Sequence, residues 1–247
     1  MDFKVFEIYE PTSEVAELWE SSFGDDREFI FEFYERMPVH STVICTADGK
    51  TVGMTLLLSL SGAYYGYAVC TDSTFRGKGI CRRIHEYIKE KCEREGMEYF
   101  IHPAEPSLVA FYEKLSMKPV LSSYEIKAFG DPSLKVREID PREYAFIRDL
   151  YFGGYRYYPW SESALSYLKE LGIRFLSCMV DGVDCAAAVD GRTILELCAP
   201  EELFGRCAGA FIEGEGKVRL FVTPNHIDEV SLMSFSGKDC YFNLFFE

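Results

Sequence analysis

Apolar and polar residues in the first 40 positions follow patterns that predict one strand and two helices. Lys4–Ile8 alternates as a short strand, and Pro11-Thr12-Ser13 then opens a helix. A second helix is predicted to begin at Asp25, with Glu28 three residues later as a capping box, and to stop at Pro38. The apolar faces of these helices are Val15, Leu18, Trp19 and Phe23 in the first, and Phe29, Phe33 and Met37 in the second.

Alternating segments after Pro38 predict a hairpin and one further strand. Thr42–Ala47 and Thr51–Ser59 flank Asp48-Gly49, a dipeptide that favours a tight turn between strands. Ala63–Thr71 follows as the next predicted strand.

Helical periodicity returns at Gly79. Apolar residues recur every four positions from Ile80 until Gly96, which is a suitable helix C-cap. Met97–His102 predicts a buried strand, Pro106 begins a second helix that contains Phe111, Tyr112 and Leu115, and Val120–Phe129 predicts another strand.

The second half of the chain repeats this order in outline. Lys135–Ile139 resembles Lys4–Ile8, and Asp181-Gly182 takes the place of the first hairpin turn. The strand Val218–Pro224 comes about a dozen residues earlier than an exact repeat would place it. The missing residues fall in the interval in which the first copy has its glycine loop. We therefore predict two related units, residues 1–130 and 131–247, separated at Gly130-Asp131-Pro132.

Composition and charge exclude several classes of protein. The chain has 247 residues, 48% hydrophobic residues and a formal net charge of -14, which disfavours nucleic acid as a partner. Nine cysteines without a C-x-x-C pair, together with four scattered histidines, favour buried thiols over disulfides and predict no metal site. The acidic amino terminus and the lack of a long apolar run predict a soluble cytoplasmic protein without a membrane segment.

The segment Arg76-Gly77-Lys78-Gly79 lies between a predicted strand and an amphipathic helix. Glycines allow successive backbone N–H groups to point at one spot, and the helix start behind them adds about half a positive charge. Together they form a seat for a diphosphate. The segment matches neither a Walker A motif nor G-x-G-x-x-G, and an ordinary strand–helix turn is the alternative interpretation.

Two blocks resemble the GNAT superfamily of N-acetyltransferases. Tyr67–Cys81 is similar to the family's acetyl-CoA motif, where Arg76 and Gly79 match and Cys81 replaces the usual Gly or Ala. Phe111–Met117 is similar to the family's Phe-Tyr-x-x-x-Gly-Phe segment, with Ser116 and Met117 in place of Gly and Phe. The resemblance extends over about residues 1–129.

This resemblance implies an α+β fold. It consists of a GNAT-like mixed, mostly antiparallel sheet with flanking helices, followed by a second, degenerate unit. It implies acetyl-CoA as cosubstrate, with Val69, Cys70 and Thr71 pairing with the pantetheine arm. The diphosphate would be held by the loop and the first helical turn, namely Arg76, Gly77, Lys78, Gly79, Ile80 and Cys81. Tyr112 takes the place of the tyrosine that protonates the departing thiolate; a core tyrosine is the alternative.

The general base stays open among Asp72, Glu105, a water chain and the terminal carboxylate of Glu247. The apolar run before Glu247, residues 241–246, should be buried and would fix the end of the chain. This layout resembles the enhanced intracellular survival group of aminoglycoside acetyltransferases. An aromatic cluster between Tyr151 and Trp160 could bind a cationic amine, but packing against its own hairpin is favoured.

The predicted reaction is transfer of an acetyl group to a primary amine of a small molecule or peptide; the acceptor and the oligomeric state stay open. A transferase of another acyl or aminoacyl group and a CoA-sensing module without turnover are the alternatives. The second unit lacks a glycine loop, and Glu201 and Glu202 stand at its helix start, where they would repel a diphosphate. We therefore expect one CoA per chain.

Overall fold

The computed structural model describes residues 1–131, 133–154, 156–222, 229–243 and 245. The elements up to residue 129 are β1 (Phe3–Ile8), α1 (Ser13–Phe23), α2 (Arg27–Arg36), β2 (Val39–Ala47), β3 (Lys50–Leu60), β4 (Ala63–Thr71), α3 (Ile80–Glu95), β5 (Glu98–Ile101), α4 (Pro106–Glu113) and β6 (Lys118–Phe129). The remaining elements are β7 (Val136–Glu138), α5 (Pro141–Phe152), α6 (Glu162–Glu170), β8 (Arg174–Val180), β9 (Val183–Asp190), β10 (Thr193–Cys198), α7 (Phe204–Phe211), β11 (Glu215–Val222) and β12 (Val230–Ser234). Short 3-10 turns precede α3 at Ser73–Phe75 and α7 at Glu201–Leu203.

The chain divides into two compact units. Unit 1 comprises Met1–Lys118 and Leu232–Gly237, and unit 2 comprises Pro119–Ser231 and Lys238–Glu247. The expected boundary at residue 130 falls inside unit 2, one residue beyond the end of β6. Unit 1 also includes a short segment from the second half of the chain, an arrangement that the sequence pattern did not indicate.

Unit 1 is built on a mostly antiparallel sheet. The strands lie in the order β1, β2, β3, β4, β5 and β12, and β4–β5 is a parallel pair. The α+β fold predicted from the sequence is confirmed. Side-chain oxygens of Thr12 and Asp26 cap α1 and α2. The predicted start at Asp25 is one residue early, because that carboxylate instead accepts a hydrogen bond from the Trp19 indole at 2.7 Å.

Unit 2 repeats the order of elements of unit 1. From β7 to β11 it has a strand, two helices, three strands, a 3-10 turn, a helix and a strand, as from β1 to β5. Its strands lie in the order β6, β11, β10, β9, β8 and β7, and β10–β11 is again a parallel pair. Helix α7 has 8 residues where α3 has 16, so most of the shortening predicted at the glycine loop lies in the helix.

All nine cysteines are free. Cys70 and Cys81 are half-buried and the other seven are buried. Hydrophobic side chains fill the interior of each unit, with Trp19, Ile30 and Phe33 fully buried in unit 1, and Phe175 and Leu168 in unit 2.

Candidate functional site

Strand β4 contains a bulge near its end. Met54 pairs with Cys70 and Leu56 pairs with Tyr67, so two residues of β4 oppose one residue of β3. The bulge includes Ala68, whose φ of 48° is unusual for a residue with a side chain. Bulges bend the strand that carries them, so the end of β4 takes a new direction.

The parallel pair β4–β5 opens beyond this point. Ala63–Gly66 pairs with Glu98–Ile101, but β4 continues to Thr71 while β5 ends. Among the described residues, the backbone of β4 from Val69 to Thr71 therefore has no β5 partner. Gly66 is required where the strands part, because a Cβ there would collide with the Tyr99 hydroxyl.

The glycine loop follows the open end of β4. Gly77 and Gly79 have φ values of 76° and 77°, in the left-handed region that favours glycine. A Cβ added to either would meet no described atom within 4 Å, so the space beside the loop is open. Arg76, Gly77, Lys78 and Gly79 are all exposed.

Helix α3 begins without a side-chain cap among the described residues. Its N-cap is Gly79, and the first helical N–H to reach a backbone carbonyl is that of Arg83, which donates to Gly79 O at 3.1 Å. The N–H groups of residues 80–82 come before that bond, have no acceptor within the helix among the described residues, and can therefore bind an anion. Val69, Cys70 and Thr71 therefore lie on the open strand end, and Arg76–Cys81 forms the loop and helix start after the short 3-10 turn that follows it.

Tyr112 lies near the last residue of α4 and is only 5% exposed. Its ring is 5.6 Å from the ring of His85 on α3. Burial, with a further contribution from Cys81, raises the pKa of Tyr112 far above its usual value. The hydroxyl is therefore protonated at neutral pH, as a proton donor must be.

His85 is a residue that the sequence interpretation missed. It is fully buried, and its Nδ1 lies 2.9 Å from the carbonyl oxygen of Cys81, so Nδ1 must carry the proton and donate. Nε2 is left as an acceptor and lies 3.5 Å from the Tyr99 hydroxyl. Burial lowers the pKa of His85 to about 4. The spacing of four between Cys81 and His85 was the available signal, since it places both on one helix face.

Cys81 sits beside this histidine. Its Sγ is 3.4 Å from His85 Nδ1, and burial raises the pKa of its thiol to about 12. The thiol is therefore protonated at neutral pH and behaves as a small apolar side chain in the first turn of α3.

The candidates for general base differ in their surroundings. Asp72 accepts hydrogen bonds from the backbone N–H of Thr74 at 2.9 Å and from its hydroxyl at 2.7 Å, which lower the pKa of Asp72. That carboxylate is committed to capping the 3-10 turn and is a poor base. Glu105 is exposed before α4 and accepts a hydrogen bond from Ser107 at 3.2 Å. Glu247 lies outside the described residues.

The described part of the chain offers no group of three or more His, Cys, Asp or Glu side chains arranged for a metal ion. None of its helices combines the length and the apolar composition that crossing a bilayer requires.

Several solved structures share the fold over nearly the whole chain. A probable N-acyltransferase from Enterococcus faecalis V583 is 13% identical with a TM-score of 0.71, over 95% of this chain and 72% of that one. A GCN5-related N-acetyltransferase from Kribbella flavida is 16% identical with a TM-score of 0.64, over 94% and 71%. Another from Anabaena variabilis is 10% identical with a TM-score of 0.65, over 94% and 72%. At these identities the likeness concerns the fold alone.

No functionally curated protein matches the sequence. The sequence model of the Acetyltransferase (GNAT) family matches residues 4–117. This range contains the parted strands, the glycine loop, the start of α3 and Tyr112. Residues 4–117 therefore form an acetyltransferase domain of the GNAT family.

Proposed function

We propose that unit 1 transfers an acetyl group from acetyl-CoA to a primary amine of a small molecule or peptide. The observation that carries this proposal is the opening between β4 and β5, which leads directly to a glycine loop and an uncapped helix start. An extended pantetheine arm needs backbone partners along a strand edge, and a diphosphate needs N–H donors. This segment offers a strand edge and, after it along the chain, a set of N–H donors.

Each cofactor part has a proposed place. Val69, Cys70 and Thr71 lie on the β4 edge without a β5 partner, so their N–H and C=O groups can pair with the amides of pantetheine. The backbone amides of residues 77–81 hold the diphosphate, and Arg76 and Lys78 add positive charge at the exposed loop.

The proposed chemistry is direct transfer. The neutral amine attacks the thioester carbonyl, the carbon–sulfur bond breaks, and the amine loses one proton. The Tyr112 hydroxyl donates a hydrogen bond and then its proton to the leaving thiolate, and the proton released by the amine restores the phenol. Because Asp72 is held as a cap, Glu105 or a water chain is better suited to accept the proton of the amine.

The described residues of unit 2 include no counterpart of the phosphate seat. The 3-10 turn Glu201–Leu203 precedes α7, whose N-cap is Leu203 in a right-handed helical conformation, where unit 1 has Gly79 in the left-handed region. Glu201 and Glu202 are acidic residues of that turn. We therefore propose one CoA per chain. With nine free thiols, the reducing cytoplasm is the proposed compartment.

The test is to incubate the protein with acetyl-CoA and a panel of primary amines and to follow release of free CoA thiol. We expect release that depends on one class of amine. Tight CoA binding without release for any amine would favour a CoA-sensing module instead. Release with a longer acyl-CoA or an aminoacyl donor only would favour the alternative acyl group.

A further inference from the structure

The parallel strands of unit 2 also part, as those of unit 1 do. Thr193 and Ile194 of β10 pair with Lys217 and Val218 of β11. Both strands continue, to Cys198 and Val222, without further pairs among the described residues. A cleft between two parting strands leaves backbone groups that need partners.

This cleft is filled by a segment that follows β12. We call residues 240–243 and Phe245 the closing segment. Its members are between 2% and 9% exposed, as buried as the core of the unit. Tyr241 contacts both strands: its ring packs edge-on against Phe221 of β11 at 5.3 Å, and its hydroxyl donates to Glu196 of β10.

Directional hydrogen bonds hold the closing segment in place. The Asn243 amide donates to the carbonyl oxygen of Leu195 on β10 at 3.0 Å. The Trp160 indole donates to the carbonyl oxygen of Asn243 at 2.8 Å. The backbone of Tyr241 donates to the carbonyl oxygen of Arg156 at 2.8 Å and accepts from the N–H of Tyr158 at 3.1 Å.

The aromatic cluster predicted around residues 151–160 takes part in this contact. Phe152 stacks on Tyr241 at 4.1 Å, and Trp160 packs on Phe242 at 4.9 Å. Tyr151 does contact the hairpin, since its hydroxyl donates to the carbonyl oxygen of Asp184, whereas Tyr155 lies outside the described residues. The cluster therefore packs mainly on the closing segment.

A buried charge on β10 selects what the cleft accepts. Glu196 is 1% exposed and receives two hydrogen bonds from Arg148, one from Tyr144 and one from Tyr241. A buried carboxylate is stable only when hydrogen bonds replace its contacts with water. An occupant without a hydroxyl at the position of Tyr241 would leave Glu196 without one of these hydrogen bonds.

We propose that the cleft between β10 and β11 is a peptide-binding site, that its ligand is an extended peptide with the pattern Tyr-x-Asn, and that the closing segment is its resident ligand. Glu196 recognises the tyrosine by accepting a hydrogen bond from its hydroxyl, and the carbonyl oxygen of Leu195 recognises the asparagine by accepting one from its amide. This inference is independent of the function proposed for unit 1.

The first test is hydrogen exchange of the full chain. Asn243→Ala removes the bond to Leu195 O, and we expect exchange at the amides of Tyr241 and Tyr158 to become about tenfold faster or more. Asp239→Asn, at an exposed neighbour, is the matched control and should exchange as the unchanged chain does. Equal exchange in Asn243→Ala and the control would overturn the proposal.

The second test supplies the ligand as a separate molecule. A synthetic peptide with residues 238–245, with serine for Cys240, should bind the Tyr241→Ala/Asn243→Ala double variant saturably and restore slow exchange at Tyr158. A scrambled peptide should not. If the double variant does not fold, Tyr241→Phe, which loses only the hydroxyl, is used with the same peptide. Failure of the peptide to bind the folded variant refutes the site, whether or not unit 1 binds acetyl-CoA.

Discussion

The glycine loop gives the sharpest prediction, because the chain contains a matched pair of glycines. Gly79 begins α3 with φ 77°, and Gly96 ends the same helix with φ 68°. A Cβ at either position meets no described atom within 4 Å. Gly79→Val and Gly96→Val therefore impose a similar backbone strain at the two ends of one helix, and only Gly79 lies beside the proposed diphosphate.

The expected magnitudes differ between stability and binding. A side chain in the left-handed region costs about 1–2 kcal/mol, so each variant should lose roughly that much free energy of unfolding. Valine at Gly79 also projects into the open space beside the loop and disfavours the φ value that aims its amides. We expect the affinity of Gly79→Val for CoA to fall at least tenfold, which is about 1.4 kcal/mol.

The assay is calorimetric titration of CoA into both folded variants and the unchanged chain. Gly96→Val should bind CoA as the unchanged chain does, despite its lower stability. Wild-type affinity in Gly79→Val, or an equal loss of affinity in both variants, would show that the diphosphate does not bind at Gly79.

Other predictions follow from the same geometry. Tyr112→Phe should lower turnover about 10²–10⁴-fold while CoA affinity stays nearly unchanged. A wild-type rate would show that Tyr112 is only a packing residue of the core. CoA should bind with a stoichiometry of one, and a value of two would contradict the role given to unit 2. Burial lowers the pKa of His85 to about 4 in the folded chain, against about 6.5 in the unfolded chain, so the unfolded state binds a proton first as the pH falls. The free energy of unfolding should therefore be unaffected by His85 above pH 6.5 and should fall by about 3 kcal/mol between pH 6.5 and pH 4. Denaturation curves of His85→Asn, measured across this range, should lack this pH dependence. Glu196→Gln should cost unit 2 about 3 kcal/mol by leaving Arg148 unpaired in the core, without changing CoA affinity, and unaltered denaturation would exclude this role.

Local patterns predicted most of unit 1. The alternation of Thr42–Ala47, the Asp48-Gly49 turn and the four-residue spacing from Ile80 each depend on neighbours in sequence, and the elements they predicted are present. Gly77 and Gly79 have positive φ values, as the two glycines of a tight loop suggest, because this conformation also depends on residues that are neighbours in sequence. The bulge at Ala68 was missed, because it depends on how β4 pairs with β3.

Long-range pairings account for the other misses. β12 pairs with β5 although more than a hundred residues separate them in the chain, so no local pattern places Leu232–Gly237 in unit 1. The apolar run 241–246 indicated burial, and its described residues are buried. Its location between β10 and β11 could be found only from the bonds of Tyr241 and Asn243 to β10.

Hydrogen exchange with and without CoA locates the cofactor on the chain, because amides that contact it exchange more slowly. We expect CoA to slow exchange at two segments, the β4 edge at residues 69–71 and the loop and helix start at residues 77–81. We expect no change at residues 201–204, where unit 2 has acidic residues before α7. Slower exchange at residues 201–204, or unchanged exchange at residues 77–81 under saturating CoA, would show that CoA does not bind at the glycine loop alone.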